Sequence, residues 1–316
     1  MLRYVLNRIG WAVPVLVGVT IIVFVLVNIV PGSPIHADPT GVGASPAEAS
    51  RLRAQFGLNR PIWIRYLSWI GHLSRGDFGN SFRTHQPVLH EILSRLPSTL
   101  QLAAAAYLIT LIVAVPVGIV GAVREDRASD RFIVILSVIG HSVPVFWAGL
   151  ASIVLFATRL RWFPAGGDGP VFGGGLMEHL RYLVLPAVTM AIPLAAEWMR
   201  YARGQLIDIL PRDFVLAARA KGASERVVVL RHAWRNALVP LVQLAGLSLP
   251  TLFSGALISE TVFNRSGIGR LAYDSAVNRD YPTVLGAVVF VSALVILGNL
   301  LADVAGAVID PRIRLR

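Results

Sequence analysis

Six long apolar segments dominate the sequence, and each is long enough to cross a lipid bilayer, which takes about 20 residues in a helix. They cover residues 9–30, 98–123, 132–158, 182–199, 237–259 and 283–302. An irregular backbone would leave N–H and C=O groups without partners in hydrocarbon, so each segment is expected to be an α-helix. The predicted fold is an all-α integral membrane protein with about six transmembrane helices.

The composition agrees with lipid as the main solvent. Hydrophobic residues make up 55% of the chain and charged residues 15%, whereas soluble domains are about 45–50% apolar and about 25% charged. The net charge of +11 would raise nucleic acid as a partner in a soluble protein. Here the basic residues lie between apolar segments and form no basic–aromatic stripe, which favours cytoplasmic loops and no nucleic-acid partner.

Charge also predicts the orientation in the membrane. Residues 200–236 hold eight basic side chains and three acidic ones, Arg3 and Arg8 lie at the start, and three arginines follow residue 311. With six spans these places share one side, and the excess of Arg and Lys identifies that side as the cytoplasm. A multi-pass protein of the cell or inner membrane with cytoplasmic N- and C-termini is therefore expected.

The first apolar segment is expected to be retained as a span. Residues 9–30 are too long for the core of a signal peptide, and Val30-Pro31-Gly32-Ser33 offers no small-x-small cleavage site. The predicted organisation is then a cytoplasmic tip and first helix over 1–31, an extracytoplasmic insertion over 32–96, and a five-helix core over 97–316.

The insertion is predicted to be helical. Ser45-Pro46-Ala47-Glu48 matches a capping box with Pro at the first helical position. After Pro61, apolar residues at helical spacing predict a second helix. That stripe is Ile62, Tyr66, Trp69, Ile70 and Leu73. It has two interpretations, either packing on the spans or the lipid interface, or docking of a soluble partner.

The motifs of an enzyme are missing. Lys221 is the only lysine and is followed by Gly222, so no Gly-Lys-Ser/Thr of a P-loop exists. His90-Glu91 is followed by Ser94 where a zinc motif needs His, there are no cysteines, and no cluster has metal-site spacing. We expect no catalytic residue, metal site or cofactor in this chain, so any nucleotide hydrolysis belongs to another polypeptide.

Polar residues inside the spans deserve separate interpretations. His141 and Ser142 precede Pro144 in the middle of a span, where we expect a kink that frees backbone carbonyls. They line a translocation path or make a structural hydrogen bond, and the sequence leaves both open. Glu197 lies three residues before Arg200, which allows a local pair. Asn299 and Asp303 share one helix face and are expected to be structural.

The loop over 203–236 is predicted to hold a short helix, a glycine turn and a second helix. Pro211 suits a helix start, Gly222 breaks the pattern, and Ser224 suits an N-cap. The first stripe is Leu206, Leu210, Phe214 and Ala217, and the second is Val227, Leu230, Trp234 and Leu238. So short a loop leaves apolar surface uncovered, which favours a protein partner; the alternative is an amphipathic hairpin on anionic lipid.

This loop resembles the EAA loop of binding-protein-dependent ABC importer permeases, with Ala217-Ala218 followed four residues later by Gly222. The strings from Ala218 to Glu225 and from Arg231 to Pro240 are similar to the peptide and nickel branch. Leu216 stands where the family has Glu, and the Leu-Pro ending is displaced to Val239-Pro240; the branch commonly relaxes both.

Other stretches carry the same resemblance over nearly the whole chain, and the early ones are similar to the B-type subunit of dipeptide and oligopeptide permeases. They are Arg8 to Gly32, Arg75 to Gly79, Glu260 to Phe263, Gly267 to Gly269, Arg279 to Pro282, Asn299 to Asp303 and Asp310 to Arg314.

The resemblance implies a type I ABC importer permease that moves di- or oligopeptides inward by alternating access. It implies a C-type permease, two ATPases holding ATP and magnesium, and an extracytoplasmic substrate-binding protein as partners. The implied ATPase-coupling residues are Phe214, Ala217, Ala218, Arg219, Lys221, Gly222, Ala223 and Glu225; His141, Ser142 and Pro144 are expected near the path. Nickel, glutathione or haem-like cargo, and a secondary transporter or channel without an ATPase, stay open as alternatives.

Overall fold

The structure is a computed structural model that describes residues 2–29, 59–170 and 173–309. The described residues form eleven helices, which we number in chain order. They are α1 (Leu2–Ile29), α2 (Ile62–Leu73), α3 (Val88–Val123), α4 (Ala128–Ser142), α5 (Val145–Arg159), α6 (Leu176–Ile209), α7 (Asp213–Ala220), α8 (Glu225–Leu247), α9 (Leu249–Val262), α10 (Ile268–Val277) and α11 (Tyr281–Ile309).

Four of these helices are long and apolar enough to cross a membrane alone, namely α1, α3, α6 and α11. Two pairs satisfy the same test together, because α4 and α5 meet at a bend of 95° and α8 and α9 at a bend of 47°. Counting each bent pair as one span gives the six that the apolar segments predict. The all-α membrane fold is therefore confirmed, with two spans broken.

Helix α6 lies at the centre of the core and packs mainly against α3. The two backbones approach closely at Gly118, where an added Cβ would lie 2.9 Å from both the Ala202 Cβ and the Met199 carbonyl oxygen. Small residues allow such contacts, and van der Waals packing is what holds helices together where lipid is as apolar as the side chains. The buried small residues along α6 are Ala187, Ala191, Ala195, Ala196 and Ala202.

The first span lies at the edge of the bundle, against α11 and α2. An Arg8–Asp303 ion pair of 3.1 Å joins α1 to α11. On α2, the Tyr66 hydroxyl lies 3.0 Å from the Thr20 hydroxyl, and the Trp69 ring stacks on Phe24 at 5.5 Å between centroids. The apolar stripe predicted for α2 thus packs on the first span, as the first of its two interpretations states.

The outer segment between α2 and α3 is anchored to the start of α11 by one buried carboxylate. Asp280 accepts hydrogen bonds from the Ser81 hydroxyl at 2.5 Å, the Phe82 backbone N–H at 2.9 Å and the Thr283 hydroxyl at 2.8 Å. Residues around positions 75–79 and 279–282 carried the family resemblance separately; the structure brings them together. The predicted capping box at Ser45–Glu48 and the stretch from Asp310 to Arg314 lie outside the described residues.

The kink expected before Pro144 is present and large. Helix α4 ends at Ser142, Val143 is extended, and Pro144 occupies the N-cap position of α5. Pro has no backbone N–H and disfavours helical geometry in the residue before it, which favours a break at this point. The Ser142 hydroxyl donates to the Val138 carbonyl oxygen at 2.9 Å.

Candidate functional site

The loop over 203–236, called the cytoplasmic loop after the side predicted for it, begins with a sharp turn between α6 and α7. Helix α6 ends at Ile209, and α7 begins at Asp213 with an extended Arg212 at its N-cap. The prediction of a helix start at Pro211, and of one periodic stripe from Leu206 to Ala217, was therefore wrong. The Pro ring clashes with the carbonyl four residues back, so it ends α6 and the stripe is divided between two helices.

Helix α7 ends at a turn formed by Gly222, as the sequence predicts. Gly222 has φ +82°, its N–H donates to the Arg219 carbonyl oxygen at 2.9 Å, and the Ala223 N–H donates to the Ala218 carbonyl oxygen at 3.3 Å. This pair of bonds is a Schellman motif, which needs a left-handed residue at the position of Gly222. An added Cβ there would meet nothing within 4 Å, so the backbone conformation alone favours glycine.

One face of α7 is fixed to the rest of the chain. Val215 is fully buried and Ala218 nearly so, and both pack in a cluster with residues of α3, α6 and α8. Ala223 packs against the same cluster. Of the implied coupling residues, Ala218 and Ala223 thus hold the loop in place. The other cluster members are Ala122, Leu206, Ile209, Val228, Ala233 and Ala237.

The opposite face of α7 is exposed. Phe214 is 42% exposed and Leu216 47%, and Ala217, Arg219 and Lys221 are exposed with them. The loop therefore presents apolar and basic side chains outward while its inner face is anchored. Large exposed apolar side chains beside a packed inner face indicate an interaction surface.

A forked ion pair joins α7 to the next helix. The Arg219 side chain donates to both carboxylate oxygens of Glu225, at 3.1 Å from Nε and 2.6 Å from the terminal nitrogen. The hydrogen bond to Glu225 raises the pKa of Arg219 above its ordinary value. This pair bridges the Gly222 turn.

The second helix differs from its prediction in register. Ser224 occupies the N-cap of α8 but makes no side-chain cap hydrogen bond. Residues Val228–Ala233 form a π-helix, which holds more residues per turn than an α-helix and rotates the face that follows. As a result Val227 and Leu230 are exposed while Trp234 is partly buried, so the predicted stripe is not one face.

The residues predicted near the path lie at the bend between α4 and α5. His141, Ser142 and Pro144 are all exposed there. No partner chain is present, so their place beside a path stays a prediction. Within the described part of the chain, no group of three or more His, Cys, Asp or Glu side chains could hold a metal ion.

Sequence reasoning missed a buried carboxylate at the outer end of the core. Glu260 is fully buried and accepts hydrogen bonds from the Thr99 hydroxyl at 2.7 Å, the Arg270 N–H at 3.1 Å and the Gly269 N–H. A carboxylate is favoured at the N-terminus of a helix, here α10, by the unpaired N–H groups. Gly267 leaves room for it, since an added Cβ would overlap the carboxylate.

A second buried charge completes this outer cluster. Arg265 is 3% exposed and lies 3.6 Å from the Asp168 carboxylate. Its guanidinium donates to the Ser98 hydroxyl at 3.2 Å and to the Gly167 carbonyl oxygen at 3.4 Å. The Ser266 N–H donates to Asp168 at 3.0 Å. Three segments of chain are thus joined through polar side chains, and only their long-range packing reveals it.

Near the cytoplasmic end, a buried pair clamps α4 to α6. The Arg203 side chain donates to the two Asp130 oxygens at 2.5 and 2.7 Å, and Asp130 also accepts from the Asp126 N–H at 3.0 Å. Such two-point geometry between Arg and a carboxylate is among the stronger polar contacts in proteins. It joins the short loop after α3 to the helix that leads into α7.

Comparison with known proteins gives consistent matches along the chain. Residues 114–315 match the family described as binding-protein-dependent transport system inner membrane component, and residues 1–103 match the N-terminal region of such membrane components. The oligopeptide transport system permease protein AppB of Bacillus subtilis is 37% identical over 317 residues, covering 99% of each chain. The dipeptide transport system permease protein DppB of Escherichia coli K12 is 34% identical over 337 residues, again covering 99% of each.

The fold also matches a solved structure. An inward-facing structure of the MetNI methionine ABC transporter contains a chain that aligns with a TM-score of 0.54, covering 70% of this protein and 97% of that chain at 17% identity. At that identity the match shows the fold alone. The sequence matches confirm the family that the loop over 203–236 resembles: the chain belongs to the inner membrane components of binding-protein-dependent transport systems.

Proposed function

We propose that this chain is the permease subunit of an ATP-driven ABC importer that moves di- or oligopeptides inward by alternating access. The peptide assignment is supported by relatives named as oligopeptide and dipeptide permeases over their whole length. Nickel, glutathione and haem-like cargo are the alternatives within the same class. A permease subunit of this family is not itself catalytic.

One observation carries the coupling role: α7 is anchored on one face and exposed on the other. Val215 and Ala218 fix it to the spans, while Phe214 and Lys221 extend outward. A separate ATPase that binds the exposed face would move α7, and the anchored face would pass that movement to α6 and α8. Because the only lysine, Lys221, lies outside any P-loop, ATP and magnesium belong to that partner.

The complete transporter would contain a C-type permease, two ATPases and an extracytoplasmic substrate-binding protein. ATP binding would close the ATPase pair, bring the two coupling helices together and turn the spans outward by rigid-body motion. The termini and α7 would lie in the cytoplasm, because the basic residues concentrate there. His141, Ser142 and Pro144 would lie near the path, since the bend exposes them.

The test of coupling replaces Gly222 by Val, with Gly222→Asn as the matched control. Val strongly disfavours the left-handed conformation that Gly222 adopts, whereas Asn tolerates it. We expect Gly222→Val to lose most ATPase co-purification and most ATP-driven uptake in proteoliposomes, and Gly222→Asn to keep both. Full activity of Gly222→Val would overturn the coupling role of this turn.

The same proteoliposomes test the class of transport and the cargo. Uptake of a labelled dipeptide that requires the ATPases, ATP and the loaded binding protein is the expected result. Uptake without the ATPases would favour a secondary transporter or channel. Uptake of nickel chelates in place of peptides would favour the nickel alternative within the same branch.

A further inference from the structure

One stripe of α6 is not covered by the rest of the chain. Gly204 and Asp208 follow Glu197 by seven and eleven residues, which places each within about 20° of Glu197 around an α-helix. Glu197 is partly exposed and Asp208 exposed. A Cβ added at Gly204 would meet nothing within 4 Å. The part of α6 from Glu197 to Asp208 therefore has an open face, whereas Met190 and Pro186, earlier on the same stripe, are buried.

This open face carries a carboxylate near the end of the apolar segment 182–199, in the part of α6 that leads toward the loop. Glu197 lies twelve residues before the end of α6, or about 18 Å along the helix axis. In the described part of the chain it takes part in no ion pair or side-chain hydrogen bond. Arg200, the partner that sequence spacing allowed, donates instead to the Ser137 carbonyl oxygen at 3.3 Å.

An ionisable side chain in an apolar segment is informative, because facing it toward hydrocarbon is costly. Such groups in spans face the bundle interior or a water-filled cavity. Among the residues that the structure describes, Glu197 has no ion-pair or side-chain hydrogen-bond partner, which favours the water-filled cavity over the bundle interior. The open face of α6 is best explained as a wall of an aqueous space.

Helix α4 brings further polar groups to the same place. It contacts α6 closely at Gly140, where an added Cβ would lie 3.3 Å from the Ala196 Cβ. The exposed His141 follows Gly140, and Glu197 follows Ala196. The side chains of His141 and Glu197 therefore belong to one level of the α4–α6 contact, which is the level at which the path was predicted.

From this geometry we infer that Glu197 binds the positively charged amino terminus of a peptide during its passage. The inference rests on the proposed peptide importer. An amino terminus is the one cation that all free peptides share whatever their sequence and length, so a single carboxylate suits a permease for mixed cargo. An ammonium donates three hydrogen bonds and pairs with carboxylate oxygens.

The first experiment tests whether water reaches position 197. The sequence has no cysteine, so Glu197→Cys gives this chain a single thiol. In the complete reconstituted transporter, a water-soluble ethylammonium methanethiosulfonate is expected to modify that thiol and raise the mass of this chain. Ala195→Cys is the control, because Ala195 lies on the buried face of the same helix at nearly the same depth. An unreactive Glu197→Cys beside an intact complex overturns the inference.

The second experiment tests recognition of the amino terminus. A dipeptide and its N-acetylated form, both bound by the substrate-binding protein, are compared in Glu197→Gln and wild-type transporters. We expect Glu197→Gln to lower the ratio of free to acetylated uptake at least tenfold, with unchanged complex yield and basal ATPase rate. Glu178→Gln, in the exposed first turn of α6, should leave the ratio unchanged.

The outcomes separate this inference from the proposed function. An unchanged ratio in Glu197→Gln, or an equal loss of both peptides, overturns the role of Glu197 while peptide transport stands. A wild-type transporter that carries neither peptide refutes the proposed function itself.

Discussion

The outer end of the core buries charged side chains, whereas the cytoplasmic loop exposes both charged and apolar ones. At the outer end, Glu260, Arg265 and Asp280 are buried and bonded to groups of the same chain. In the loop, Phe214 and Lys221 extend into solvent while Val215 is fully buried. The outer end makes most of its polar contacts within the chain, although the buried Arg265 Nε has no partner among the described residues. The loop leaves one face of α7 uncovered.

That difference indicates where the subunit is rigid by itself and where it needs another protein. A buried carboxylate with three donors has little freedom to move, because each lost hydrogen bond leaves a desolvated group. The exposed Phe214 side chain on α7 can be buried against a partner without breaking any contact within the chain. Substitutions at the outer end should therefore change stability, and substitutions on the outer face of α7 should change assembly.

The largest expected effect is at Glu260. Replacing it by Ala removes the acceptor of the Thr99 hydroxyl and of the Gly269 and Arg270 N–H groups. At about 1–3 kcal/mol for each stranded group, we expect the free energy of unfolding to fall by about 3 kcal/mol or more. Unfolding of the purified subunit in mixed micelles, titrated with a denaturing detergent, measures it.

The matched control for Glu260 is Asp274→Ala. Asp274 is an exposed acid that pairs with Arg270 at 3.5 Å across one turn of α10. Exposed pairs of this kind contribute about 0–1 kcal/mol. If both variants lose equally little stability, the outer end is not the self-contained unit that the comparison describes.

A smaller effect, on binding alone, is expected at Phe214. Phe214→Ala should weaken ATPase binding at least tenfold, which is about 1.4 kcal/mol, because aromatic side chains contribute strongly when buried at interfaces. Its effect on unfolding should be slight, since Phe214 is already 42% exposed. The measurement is a binding titration of ATPase against the permease pair in nanodiscs.

The neighbouring Val215 is expected to affect stability and not ATPase binding. Val215→Ala removes buried volume from the cluster beneath α7 and should lower the free energy of unfolding by about 1–2 kcal/mol. A variant Phe214→Ala that destabilises the subunit as much as Val215→Ala, with ATPase affinity intact, contradicts the division of α7 into an anchored and a free face.

The smallest effect concerns acid stability at Asp168. Burial opposes ionisation, but hydrogen bonds from Ser266 and Ser98 and the nearby Arg265 lower the pKa of Asp168 below its ordinary value of 3.8. A carboxyl group whose pKa is lower in the folded state stabilises the fold above its unfolded pKa, and that contribution disappears as the pH falls through the folded pKa.

The expected result is a modest difference between wild type and Asp168→Asn that is present at neutral pH and shrinks as the pH falls below 3.8. Unfolding at a series of pH values measures it. Parallel curves for the two proteins would show that Asp168 does not titrate differently on folding.

Features that depend on residues close together in the sequence could be predicted from it. The spans follow from apolar length, the α4–α5 break from Pro144, and the end of α7 from Gly222. Each results from a residue acting on its own backbone. The start of α7 was missed because Pro211 was interpreted as a helix start, although its ring equally ends the helix before it.

Features that depend on distant partners could not be read in this way. Glu260 gave no local signal of burial, because its donors lie 161 residues earlier in α3 and ten residues later in α10. The π-helix at Val228–Ala233 shifted the register of α8 without a sequence mark. Likewise, the open face of α6 appears only when its neighbours are in place, so Glu197 looked like a local partner for Arg200.

The peripheral position of α1 has a consequence for the order in which this protein is made. One polar link between α1 and α11, Arg8 with Asp303, joins residues 295 positions apart, so that pair forms only when synthesis is nearly complete. Until then the first helix must persist in lipid as a separate span. Its stretch Gly10–Ile29 has a mean hydropathy of 2.7 and no charged residue. Such a helix is stable in the bilayer before it packs against α11.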